Sequence, residues 1–342
     1  MASFWLGLLS AALATNHVAA VSNYVAKTTG IRLPVTDTSD PVEREYLRIL
    51  KEDDAALDEI DRWIRDAENQ AKRSGGLESL TLKGRIEQRL APVLDDYKNF
   101  LARHPNHLRA RLAFGSFLNQ IGRPAEALRQ WQKAKEIAPN DPVPWNNLGA
   151  YYGHWGPIPK AFECFERAIR LAPGEALYYR NLASVVSTYW RDAKDYYKLS
   201  DTRAAVRKAL AIYDKALRLQ PKNFVWAVEA AQNYYFFKPE EEPTPEARRK
   251  LLRETLAAWE RARKIAPDDL ARQGVAVHIA RAYLRFGLPD KAEAELRNVT
   301  HPAFAALRAR LLKRAAEVRA GRSPKPSGPS SPAPAASKPP SG

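Results

Sequence analysis

The stretch Trp145-Asn-Asn-Leu-Gly-Ala-Tyr-Tyr-Gly-His-Trp-Gly-Pro-Ile-Pro-Lys-Ala-Phe-Glu-Cys-Phe-Glu-Arg-Ala-Ile-Arg-Leu-Ala-Pro173 holds the chain's single cysteine, a histidine, two tryptophans and three glycines. Such a concentration suits either a reactive centre or a tightly packed helical hairpin. Its last residues decide between them. Ala168-Ile-Arg-Leu-Ala-Pro173 restates Ala134-Lys-Glu-Ile-Ala-Pro139, and before that Phe100-Leu-Ala-Arg-His-Pro105. These prolines lie 34 residues apart, and Pro221 and Pro267 continue the series at intervals of 48 and 46. Proline lacks an amide donor and clashes with the preceding turn, so each one marks where a helix ends.

Between the prolines the same residue types return. The unit ending at Pro139 has Phe114-Gly115, Leu118, Ala127, Trp131 and Ala134; the next has Trp145, Leu148-Gly149, Tyr152, Ala161, Phe165 and Ala168. In spacing and in these signature positions the chain resembles the tetratricopeptide repeat family, a helix–turn–helix unit of 34 residues. The resemblance covers residues 104–300 and implies an all-α fold, an α-solenoid in which the hairpins stack as a right-handed superhelix. It also implies that large residues wedge between helices while Gly115, Gly149, Ala127 and Ala161 sit at the closest crossings. On this reading Cys164 is a packing residue beside Phe165, and the glycines Gly153 and Gly156 end the first helix.

About five units follow. The third keeps Leu182-Ala183, Tyr213 and Pro221 but gains roughly 14 residues between its helices; the fourth keeps Ala230-Ala231, Trp259 and Pro267 and gains roughly 12. A fifth, degenerate unit runs through Tyr283, Gly287 and Leu296. Residues 301–320 read as a capping helix, which a solenoid needs where stacking stops. Upstream, residues 40–103 read as an acidic helical extension and a lead-in helix. Asp40 opens it, Leu47, Leu50, Leu57, Ile60 and Ile64 give it an apolar face, and Ser74-Gly-Gly76 breaks it. Residues 321–342, rich in Pro, Ser and Ala, contain too little apolar surface to fold and are expected to be disordered.

Residues 1–30 stand apart. The first 26 carry no charged side chain, Phe4 to Ala14 is an apolar run short for a bilayer, and Val18-Ala-Ala20 suits signal-peptide cleavage. The segment reads as an export signal or, uncleaved, as a membrane anchor. An exported or membrane-associated protein is expected, with a cytoplasmic one as the alternative.

Charge is sorted along the chain. The whole carries +15, yet residues 40–68 hold 11 acids and 5 bases, and residues 1–39 amount to +1. Removing both segments leaves +20 on residues 69–342. That excess admits nucleic acid or another acidic surface as a partner. Acids and bases nevertheless alternate within the helices, which disfavours a phosphate-binding face.

Nothing in the sequence assembles a catalytic centre, a metal site or a cofactor loop. One cysteine makes neither a disulfide nor a thiolate cluster. His104-Pro-Asn-His107 straddles an inter-helix turn, where capping is the simpler role, and Glu240-Glu-Glu242 reads as a solvated loop. Asn298-Val-Thr300 would accept a glycan only in a eukaryotic secretory setting. No enzyme activity and no cofactor are expected.

The resemblance implies a binding protein whose groove, lined by first helices, takes a peptide or protein partner. Registered on the family pattern, Arg109, Ser116, Asn119, Asn146, Ala150, His154, Arg180, Ser184 and Gln232 point into it. The subgroup that clamps a C-terminal carboxylate with Lys, Asn, Asn, Lys and Arg is not matched. The corresponding residues are Leu112, Ser116, Asn147, Leu177 and Asn181, of which only Asn147 agrees. The two insertions form neighbouring turns on one edge, where Trp190, Tyr197, Tyr235 and Phe236 are candidate anchors for a second contact. A regulatory subunit of a separate enzyme is a further alternative to this scaffold reading.

Overall fold

The computed structural model describes residues 39–74 and 79–321. The apolar segment, the Ser74–Gly76 break beyond Ser74 and the C-terminal tail lie outside the described residues. Among those described, fourteen α-helices and a few 3-10 turns account for all regular structure, and there is no strand. The chain divides after Tyr151 into two compact units.

The first unit begins with α1 (Pro41–Ser74) and α2 (Ser79–Arg103), followed by the hairpin α3 (Leu108–Gln120) and α4 (Pro124–Ile137) and by the start of α5 (Pro142–Trp155). Asp40 starts α1 by accepting the Val42 amide at 2.9 Å. The acidic extension is a single helix, and its buried seam is Tyr46, Ile49, Leu50, Asp53, Ala56 and Ile60. Of the apolar face expected there, Leu50 and Ile60 are buried, Leu47 and Leu57 are half-buried, and Ile64 is 38% exposed. A carboxyl group shares this core. Asp53 is buried and its Oδ2 accepts the Tyr97 hydroxyl at 2.8 Å. Around it Tyr97, Phe100, Phe114 and Phe117 are buried, with Tyr97 stacked on Phe114 at 4.9 Å. Burying one such ring contributes roughly 1.5–3 kcal/mol, so this cluster holds α1 and α2 to the first hairpin.

That hairpin closes tightly. Gly122 takes φ +79°, which residues with a Cβ rarely adopt, and Pro124 then starts α4 where no amide donor is needed. Gly115 faces Trp131 so closely that a Cβ there would lie 2.4 Å from the indole Nε1.

The second unit contains the end of α5, then α6 (Ile158–Leu171), α7 (Ala176–Thr188), the short α8 (Trp190–Tyr196), α9 (Thr202–Leu219) and α10 (Phe224–Gln232). After two 3-10 turns come α11 (Pro245–Lys264), α12 (Asp269–Arg285), α13 (Pro289–Arg297) and the terminal α14 (Ala305–Arg319). Asp201, Asn223, Thr244 and Asp268 each cap a helix by accepting the backbone amide three residues on. One core gathers Tyr213, Leu217, Trp259 and Ile279 around the small residues Ala183, Ala227, Ala230, Ala231 and Ala262. A second, of Ala280, Leu284, Ala292, Leu296, Leu311 and Ala315, joins α12 and α13 to α14. Cys164 is buried, as a packing residue should be. Gly153 lies inside α5 rather than ending it and is buried against Val185.

Candidate functional site

The candidate lining residues sit on the first helices of the repeats, α3, α5, α7 and α10, and their surroundings differ. In the first unit Asn119 is exposed, and Ser116 returns its hydroxyl to the Leu112 carbonyl of its own helix at 3.1 Å. Arg109 is half-buried. Its Nη1 meets Glu43 Oε2 at 2.8 Å, its carbonyl accepts the Tyr46 hydroxyl at 3.3 Å, and the guanidinium lies 5.0 Å over the Tyr46 ring. Much of its charge therefore ties α3 to α1. Its Nε and Nη2 are buried and find no acceptor among the described residues. Asn146 is buried at 2% exposure and donates to Asn147 Oδ1 at 3.4 Å. Asn147 is 5% exposed, and its Nδ2 meets no hydrogen-bond partner among the described residues.

In the second unit His154 and Gln232 are exposed. Arg180 is held by Glu229, with Nε–Oε2 at 2.9 Å and Nη2–Oε1 at 2.5 Å. Ser184 bonds the Tyr213 side chain, a core group. The sequence pattern could locate Arg109 and Arg180 but not their carboxylate partners, which lie 66 and 49 residues away.

The insertions are built from aromatic rings and cations. Trp190 packs against the cluster of Val206, Phe237, Leu251 and Phe286, which also holds the second insertion's Phe237. Tyr197 lies 5.5 Å from Phe162 and edge-on to Tyr196 at 4.8 Å, with the Lys208 ammonium 3.9 Å over its ring. Tyr235 faces inward, its hydroxyl 2.7 Å from His278 Nδ1. That imidazole stacks on Trp259 at 4.3 Å, and burial, aided by the nearby Arg281 charge, pushes its pKa down to about 4. Phe236 is 49% exposed.

The second insertion is clamped at both ends by arginines that sequence reasoning missed. Arg285 donates to the carbonyls of Tyr234, Tyr235 and Phe237 at 3.4, 3.2 and 2.5 Å. Arg203 pairs with Glu242, whose side chain is only 7% exposed. The Glu240–Glu242 run is thus not a uniformly solvated loop, because one of its acids is buried by a cation from α9.

The remaining polar motifs have structural roles. His107 Nδ1 accepts the Ala110 amide at 3.1 Å as the N-cap of α3, and its Nε2 lies 3.2 Å from Glu43. Among the described residues, no group of three or more His, Cys, Asp or Glu side chains is placed to hold a metal ion. No described helix is long and apolar enough to cross a membrane.

One kind of contact recurs with the repeat. Trp145 Nε1 donates to the Pro139 carbonyl at 2.9 Å, and 34 residues later Tyr179 Oη donates to the Pro173 carbonyl at 3.1 Å. An aromatic ring anchors the same proline turn in consecutive units. In fold these hairpins are similar to tetratricopeptide repeats. No family model matches the chain. Similar solved structures include YrrB, described as a TPR protein with an unusual peptide-binding site (15% identity, TM-score 0.46, covering 64% of this chain and 97% of that one). Others are PilF of Pseudomonas aeruginosa (16%, 0.45, covering 76% and 98%) and a thermophilic TPR protein of Thermus thermophilus (19%, 0.39, covering 62% and 99%).

Proposed function

We infer that the protein is a non-catalytic adaptor that holds an extended or helical segment of a partner protein along the first helices of its repeats. One observation carries this reading: Asn119 on α3, His154 on α5 and Gln232 on α10 are exposed polar side chains at the positions where first helices offer hydrogen bonds to a partner's backbone. In this reading Arg109, Ser116 and Asn146 accompany Asn119 in the first unit, and Arg180 and Ser184 accompany His154 and Gln232 in the second.

The test is a screen of arrayed peptides on the full chain, followed by Asn119→Ala and His154→Ala, both at exposed positions. Peptide binding should weaken about tenfold in at least one of them, the equivalent of 1.4 kcal/mol, while the melting temperature holds. Equal binding by the parent and both variants would remove the first helices from the interaction.

The edge built by the insertions is a second contact surface in the same reading. Phe236 supports it by its exposure, whereas Trp190, Tyr197 and Tyr235 hold the edge together from within. Phe236→Ala should then weaken capture of the full-length partner without changing helicity.

A further inference from the structure

The second helices of the last repeats sort their charges in a way that the sequence conceals. In α9, α11 and α13 acids and bases alternate, but they do not share the same side of the helix. Asp214, Glu254 and Glu295 are half-buried in the seams between helices, and each meets an arginine of a neighbouring helix. Arg261 reaches Asp214 at 3.2 Å, Arg207 reaches Glu254 at 2.5 Å and Arg263 reaches Glu295 at 2.9 Å. What remains outside is almost wholly cationic. On α11 Lys250, Arg253, Ala257, Arg261 and Lys264 are all exposed, and their spacing of three and four residues aligns them as one stripe. On α9 Arg207, Ala211, Lys215 and Arg218 repeat the arrangement, again with an alanine within the stripe. The exposed acids of these helices, Glu246 and Asp290, are paired with Arg249 and Arg319.

We propose that the paired stripes of α9 and α11 are a docking face for an acidic polypeptide segment, distinct from the first-helix surface. Four of its cations, Lys215, Lys250, Arg253 and Lys264, form no ion pair with the described residues, so their charge is free to meet a partner's carboxylates. The α11 stripe is about 21 Å long at 1.5 Å per residue, the length of four helical turns of an acidic segment. Carboxylates placed three and four residues apart on such a segment fall at the same intervals as these cations. Ala211 and Ala257 leave a gap in each stripe without a long side chain, which lets a partner backbone approach. Neither stripe contains an aromatic ring on which a nucleobase could stack, and this separates the face from a single-stranded nucleic-acid platform.

The experiment compares three forms of the full chain: the parent, Lys215→Glu/Lys250→Glu/Arg253→Glu/Lys264→Glu, and a control with equal charge change, Arg129→Glu/Lys133→Glu/Arg310→Glu/Lys313→Glu. All eight side chains are exposed, and circular dichroism confirms that each form is folded. Fluorescence anisotropy measures binding of a poly-glutamate peptide and of a single-stranded oligothymidylate of equal charge. The parent should bind poly-glutamate with an affinity that falls as salt rises. The stripe variant should lose at least about tenfold, and the control should stay within about threefold of the parent. Equal losses in both variants would reduce the effect to net charge and overturn the proposal. Tighter binding of oligothymidylate than of poly-glutamate by the parent would overturn it in favour of nucleic acid.

Discussion

The hairpin α3–α4 and the pair α10–α11 accomplish the same antiparallel packing by opposite means. Three residues join α3 to α4, and twelve separate α10 from α11. In the short connection, packing does everything: Gly115 yields its side-chain volume to Trp131, and Gly122 turns the chain. In the long one, two arginines do what small residues cannot. Arg285 collects three carbonyls of the 3-10 turn and its end, and Arg203 neutralises the buried Glu242. A regular repeat is therefore stabilised locally, by residues of its own hairpin. An expanded repeat depends on side chains supplied by the elements around it, α9 on one side and α12 on the other.

The largest test of that contrast is Arg285→Met, which keeps much of the side-chain length and removes the donors. The carbonyls of Tyr235 and Phe237 lose their partner, Tyr234 keeps only the Phe237 amide, and the loss in a denaturant titration should be about 3–5 kcal/mol. Hydrogen exchange should quicken first in the 3-10 turns after α10. Acid should come next. His278 prefers its neutral form in the fold, so the stability it contributes is present above its unfolded pKa of 6.5 and is lost as pH falls toward about 4. That loss amounts to roughly 3 kcal/mol at the lower end, and His278→Phe should flatten it. The interface of α1 and α2 should move the other way. Burial, with Asp58 nearby, raises the Asp54 pKa to about 6, so its protonated form favours the fold and stability is gained as pH falls through that value. Exchange measured by region would show α10–α12 loosening while α1–α2 tightens; parallel changes would contradict the assignment.

Gly115→Ala comes third. Its Cβ would enter the Trp131 ring, and overpacking of this kind costs about 1–3 kcal/mol. Gly84, where a Cβ meets nothing within 4 Å, is the matched control and should accept alanine without loss. The smallest effect separates two neighbouring glutamates. Glu242→Gln leaves Arg203 facing a neutral amide and should cost about 1 kcal/mol, whereas Glu241→Gln, at an exposed position, should leave the unfolding midpoint where it was.

The repeat itself is legible because its determinants are local and periodic: a proline at each helix end, small residues at crossings and rings at fixed offsets. Helix starts are local in the same way, as the caps Asp201, Asn223, Thr244 and Asp268 illustrate. The seam of α1 is harder to read because Asp53, a core residue by position, carries a carboxyl group that only Tyr97, 44 residues on, makes tolerable. Register alone proposes Arg109 and Arg180 as lining candidates. It does not show that Glu43 and Glu229 engage them. Alternating signs along α9 and α11 likewise argue against a charged face, until packing places the acids in the seams and the bases outside.

By itself, then, the chain's periodicity determined that it folds as stacked helical hairpins, because helix ends and close crossings are set by residues within one unit. The destiny of each charge was decided only in three dimensions. A carboxylate and a guanidinium dozens of residues apart neutralise one another when packing brings them within about 3 Å, and what they leave unpaired is the surface available to a partner.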